Sequence, residues 1–75
     1  METIIISRIG SHAFLELDEF VSNYKIILFD SNGKIINKYS LSNKNILLIN
    51  NLKSDEKYTI DIINQNGEIV MEKKI

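Results

Sequence analysis

The chain has 75 residues, 44% apolar and 25% charged, with a net charge of −1 from 9 basic and 10 acidic side chains. That length allows one domain with a small core. The charge balance gives no electrostatic footprint for nucleic acid or an anionic membrane. The absence of cysteine excludes a disulfide framework, a thiolate zinc site and a cysteine nucleophile.

Isoleucine, asparagine and lysine number 15, 9 and 8. All three have AT-rich codons, so the bias points first to an AT-rich genome. Isoleucine is also β-branched and suits a pleated surface. There is no proline and only three glycines, so turns must come from Asn, Asp, Ser and Gly. The longest apolar runs, 26–29 and 46–49, are four residues each, too short to span a bilayer. Met1-Glu2-Thr3 lacks the basic start of a signal peptide. With Met1 as the native start, the expectation is a soluble product made in the cytoplasm.

In chain order, residues 3–9 are β-branched and apolar and predict a strand ended by Gly10-Ser11. Residues 13–21 read two ways. Leu15 and Leu17 alternate with Glu16 and Asp18, which predicts a strand. Phe14, Leu17 and Val21 also sit at helical spacing, with Ser11 as a cap, which predicts a helix. Residues 24–30 and 35–40 are strands separated by Ser31-Asn32-Gly33-Lys34. Asn-Gly between apolar runs predicts a hairpin with a two-residue type I′ turn, with positive φ at both Asn32 and Gly33. Residues 41–45 are a polar connection, 45–50 a short strand, and 51–57 a polar corner.

Residues 58–64 form the cleanest alternation, with Tyr58, Ile60 and Ile62 on one face and Thr59 and Asp61 on the other. Asn66-Gly67 then leads into a last strand over 68–75, where Ile69 and Met71 alternate with Glu72. A two-residue turn there sets Ile62 opposite Met71 and Tyr58 opposite Ile75. It also sets Asp61 opposite Glu72, a mildly unfavourable pair that a bulge or longer loop would change. Seven short strands leave no room for parallel crossovers. The prediction is an all-β, single domain over 1–75, a seven-stranded antiparallel immunoglobulin-like β-sandwich, with a barrel as the other outcome.

The segment from Leu52 to Ile60, LKSDEKYTI, places a leucine six residues before a strand-opening tyrosine. It resembles the E–F corner of fibronectin type III and other immunoglobulin-like domains. The resemblance implies that Leu52 plugs the core and that the Tyr58 hydroxyl bonds to the corner backbone. Residues 24–75 also resemble the C-terminal sorting domains of type IX secretion cargo, most closely over Ile27 to Ile36. That resemblance implies a sandwich carried on a larger secreted protein, and it favours a strand at residues 13–21. The chain departs from that pattern in having no proline and in carrying Glu56-Lys57 where glycine precedes the tyrosine.

Candidate chemistry is sparse. His12 is the only histidine, so a histidine metal cluster or triad is not available from this chain. The adjacent carboxylates Asp18-Glu19 and Asp55-Glu56 point to opposite faces of a strand and form no dyad. Asp30-Ser31-Asn32-Gly33 resembles the start of a calcium loop, but its twelfth position is Leu41, where a bidentate Glu is needed. Lys53 and Lys57 flank Asp55-Glu56 in a balanced corner, and Lys73-Lys74 is short for phosphate binding. Tyr24, Tyr39, Phe14 and Phe29 are expected mostly in the core instead of serving as stacking platforms. Phe20 falls on the face of Glu16 and Asp18 and marks a candidate contact surface. The expectation is no catalytic, metal or cofactor residue.

These features point to a non-catalytic structural or interaction module that docks on a larger protein assembly through a sheet face or strand edge. The expected partner is a protein or a protein lattice, with no nucleic acid, membrane or small-molecule substrate. The sharpest form is a bacteriophage capsid decoration or auxiliary virion protein. The alternatives are a sorting or adhesion domain of a larger secreted protein and a small phage-encoded inhibitor.

Overall fold

Among the described residues seven stretches pair as antiparallel strands, and the helix considered over 13–21 is not formed. The strands are β1 (Ile4–Ile9), β2 (His12–Val21), β3 (Tyr24–Phe29), β4 (Ile35–Leu41), β5 (Lys44–Ile49), β6 (Thr59–Ile63) and β7 (Ile69–Lys74). A computed structural model of the protein describes residues 4–21 and 23–75, without the side chains of 18–21. One sheet has the order β1-β2-β5 and the other β4-β3-β6-β7. Alternation explains why they stack. Ile6, Leu15, Leu17 and Ile49 point inward from the first sheet, and Ile26, Leu28, Ile60 and Ile62 from the second. The last six of these, with Leu15 and Leu41, are at or below 2% exposure or close neighbours of such residues in one cluster. Burying each such side chain is worth about 1.5–3 kcal/mol relative to exposure.

Both Asn-Gly turns differ from the two-residue type I′ form. Gly33 and Gly67 each have φ of 82°, but Asn32 and Asn66 are not among the residues with positive φ. The Gly33 N–H donates to the Asp30 carbonyl at 3.1 Å, and the Asp30 N–H donates to the Lys34 carbonyl at 2.9 Å. The Gly67, Asn64 and Glu68 backbone repeats this at 3.0 and 2.9 Å. This is a three-residue loop, a type I turn closed by glycine in the left-handed region as a bulge. The residue before each loop decides the form. Asp30 Oδ1 accepts from the Asn32 and Lys34 N–H groups, both at 2.9 Å. Asn64 Oδ1 accepts from Asn66 and Glu68 at 2.9 and 3.0 Å. Such side-chain acceptors satisfy turn donors that a tighter loop would leave out.

A second irregularity restores the register. Pairing shifts between Leu28 and Phe29 on β3–β4, and between Ile62 and Ile63 on β6–β7. Ile62 therefore still faces Met71 and Asp61 still faces Glu72, while Tyr58 and Ile75 exchange backbone hydrogen bonds at 3.2 and 2.8 Å. The bulge does move Ile69. It pairs with Ile63 and shares that residue's outer face, whereas Met71 packs against the core. The alternation that put Ile69 and Met71 on one side fails because the inserted residue flips the faces.

The two hairpins are copies in pattern. Residue n of 24–41 corresponds to n + 34 in 58–75, with Tyr24/Tyr58, Ile26/Ile60, Asn32/Asn66, Gly33/Gly67 and Ile35/Ile69 identical. Their inner strands pair symmetrically, so that Ile26 meets Ile62 and Leu28 meets Ile60. Ile27 and Asp61, equivalent under the shift, face each other at the centre.

Candidate functional site

The corner behaves as the tyrosine motif implies. Leu52 is buried, and its N–H donates to the Ser11 carbonyl at 3.0 Å, which ties the corner to the β1–β2 turn. The Lys53 N–H donates to the Tyr58 hydroxyl at 2.9 Å. Lys53 and Glu56 approach at 3.8 Å on a solvated rim, an exposed pair worth little. Arg8, which sequence reasoning passed over, completes the corner. Its Nη1 donates to the Glu56 and Ile75 carbonyls, its Nη2 to the Lys53 carbonyl at 2.6 Å and its Nε to the Gly10 carbonyl at 3.1 Å. The guanidinium also lies 5.1 Å from the Tyr58 ring centroid. One side chain of β1 thus holds both ends of the 53–56 turn and the end of the chain. No local sequence signal marks it, since apart from Gly10 its hydrogen-bond partners are 45 to 67 residues away.

Reactive groups are not gathered. His12 Nδ1 lies 2.9 Å from Asn50 Oδ1 at an exposed strand end. Asp30 spends Oδ1 on its own turn. Among the described residues no group of three His, Cys, Asp or Glu side chains could hold a metal ion. No helix among them is long and apolar enough to cross a membrane. The Phe20 and Asp18-Glu19 side chains lie outside the described residues.

What the structure does gather is apolar surface. On the outer face of β1-β2-β5, Ile5, Phe14, Ile46 and Leu48 are 50, 36, 47 and 56% exposed. Pairing joins them: Ile5 meets Glu16, which meets Ile46, and Phe14 meets Leu48. Ile9 continues the row at the sheet end. Clustered exposure of this kind differs from scattered single residues and marks a contact surface. Phe14 here, and Phe29 half-buried on the outer face of the other sheet, lie outside the core in which most of these aromatics were expected. The core takes Tyr24 and Tyr58, with Tyr39 packed against it.

The outer face of β4-β3-β6-β7 is different in kind. Lys38, Ile27, Asp61 and Glu72 form one row across its four strands. Asp61 shares this face with Thr59, as alternation predicts, yet it is 8% exposed, and its Oδ1 has no hydrogen-bond partner. Burial raises its pKa above the ordinary carboxylate value, and the charge of Glu72 and a hydrogen bond shared with it act in the same direction. Ile27 is its cross-strand partner on β3, and Ile63 stands two residues along β6 on the same face.

The crystal structure of a fibronectin type III domain of human collagen XX overlays this chain with a TM-score of 0.76. It shares 16% identity and covers 97% of this chain and 84% of that one. The fold is that of a fibronectin type III sandwich. No family profile and no curated sequence matches the chain. At this identity the likeness is one of fold, and the tyrosine corner is the feature that sequence and architecture share.

Proposed function

We propose that this fibronectin type III-like sandwich is a non-catalytic interaction module that docks on a larger protein assembly. The observation that carries this reading is the exposed apolar outer face of β1-β2-β5, where Ile5, Phe14, Ile46 and Leu48 surround Glu16. Such a face fits a protein surface with an apolar centre and a basic or hydrogen-bonding group to meet Glu16. The sharpest form is a bacteriophage capsid decoration or auxiliary virion protein, made in the cytoplasm and carried on the particle. Gradient sedimentation of source lysates with immunodetection tests it. The parent chain should travel with a large particle, and Leu48→Lys should leave the protein folded but at the top of the gradient. A parent chain that stays at the top overturns the docking reading.

A second reading, a sorting or adhesion domain of a longer secreted protein, draws on the resemblance of residues 24–75 to type IX sorting domains. It also draws on the likeness to a domain of a collagen. The size of the native polypeptide separates the two. A species near 8.7 kDa favours the docked accessory protein, and a much larger one favours the secreted module.

A further inference from the structure

The outer face of β1-β2-β5 places its polar groups in a regular pattern among the apolar ones. Ile5, Glu16 and Ile46 form one row across the three strands, and Ser7, Phe14 and Leu48 the next. Ile9, His12 and Asn50 form the third, where His12 Nδ1 lies 2.9 Å from Asn50 Oδ1. Glu16 and His12 thus stand on β2 at equal distances on either side of Phe14. Ile5 and Ile9 stand on β1 at equal distances on either side of Ser7. A carboxylate and an imidazole set evenly about an aromatic ring are complementary to the same pattern turned end for end.

We propose that this face binds a second copy of the same chain about a two-fold axis that runs across the strands along the Phe14 row. The operation lays each strand over its own copy, running the other way. The first row of each copy then covers the third row of the other. Glu16 meets His12, and Ile5 meets Ile9, which is 80% exposed in the single chain. Ser7, Phe14 and Leu48 meet their own copies at the centre, and Ile46 over Asn50 is the mixed pair. Asn50 takes up His12 Nδ1, so the protonated ring has Nε2 left to donate to the Glu16 carboxylate of the other copy. The contact is isologous, so the Glu16–His12 and Ile5–Ile9 pairs each occur twice. A two-fold axis along β2 instead sets Glu16 on Glu16 and His12 on His12, so charge selects the axis across the strands. Face-to-face packing of this kind has the geometry of two aligned sheets. Three strands at about 4.8 Å spacing give a face roughly 14 Å wide, small beside the ~800 Å² per partner of a standard interface. The dimer is therefore expected to be weak. The proposal rests on the reading of this face as a contact surface and names its occupant in the free protein, which the larger assembly would displace.

Sedimentation velocity of the intact chain at about pH 6, over roughly 1 to 1000 μM, tests the proposal, with circular dichroism as the folding control. In one molecule His12 and Glu16 stand four residues apart along β2, roughly 13 Å, too far to pair. His12→Glu and Glu16→Lys should each weaken association at least tenfold while the protein stays folded. The double variant His12→Glu/Glu16→Lys should recover it to within a few-fold of the parent, which only a contact between copies can do. Ile69→Lys, on the outer face of the other sheet, should leave association unchanged. A parent that is monomeric at every concentration overturns the proposal, and so does a dimer that Ile69→Lys dissolves. Single changes without effect, or without recovery in the double variant, overturn it as well. A monomeric parent that still travels with a large particle removes the second copy and leaves the docking reading standing. A parent that dimerises as described but stays at the top of the gradient does the reverse.

Discussion

The hairpins β3–β4 and β6–β7 are built on one plan and differ where it matters. Their loops, Asp30 to Lys34 and Asn64 to Glu68, use the same two backbone hydrogen bonds and the same pair of side-chain bonds from the leading Asp or Asn. Their inner strands bury Tyr24, Ile26 and Leu28 in one and Tyr58, Ile60 and Ile62 in the other. The shared part is the part that makes the fold. On the outer face Ile27 and Lys38 of the first become Asp61 and Glu72 of the second, and on the inner side of the partner strands Asn37 and Tyr39 become Met71 and Lys73. A face that need not be buried for folding is free to carry charge, and there the two copies have diverged.

If the loops are equivalent, they should break equally. Gly33→Val and Gly67→Val put a β-branched residue at φ of 82°, although a Cβ at either site meets no atom within 4 Å. The cost is therefore backbone strain, about 1–3 kcal/mol each. Urea unfolding should give the two variants the same loss within about 0.5 kcal/mol. A large inequality would mean that one loop, not both, carries its hairpin.

The corner belongs to one copy alone, since the 53–56 turn precedes Tyr58 and has no counterpart before Tyr24. Tyr58→Phe removes the acceptor of the Lys53 N–H and should cost about 1–2 kcal/mol. The ring and its contact with Arg8 remain, so the loss isolates the hydroxyl. Unchanged stability would show that water replaces the bond and that the corner is held by Arg8.

The smallest effect sharpens the outer-face difference. Asp61 titrates above its unfolded value in the native protein, through burial and then Glu72. The folded state thus holds its proton more tightly, and stability falls as pH rises from the unfolded value through the raised one. Asp61→Asn should flatten this fall and raise stability modestly at neutral pH. Parallel stability curves for parent and variant between pH 3 and 7 would show that Asp61 is not the titrating group.

Much of the fold was legible before the structure. Alternation marked seven strands, and Leu52 with Tyr58 marked the corner, because these signals are local and depend on side-chain period and spacing. The loop form was missed at one identifiable place. Asn-Gly drew attention to the turn tip, while the deciding groups were Asp30 and Asn64 three residues before each glycine. The 34-residue repeat was also readable, and it would have linked the two turns. The contact surfaces were harder to read. Alternation along β2 puts Phe20 with Glu16 and Asp18 as a candidate contact residue, and its side chain lies outside the described residues. The apolar face that is described belongs to Phe14 and its cross-strand neighbours.

The sequence by itself determined strand count, turn positions, the antiparallel arrangement and the tyrosine corner, since each follows from residues near one another in the chain. Tertiary structure alone decided which apolar faces are covered, how deeply Asp61 is buried and where Arg8 reaches. Isoleucine occupies inner and outer positions alike, as Ile6 and Ile5 show within one strand. Period-two alternation says which residues share a face. Whether another sheet lies against that face depends on strands brought together from distant parts of the chain.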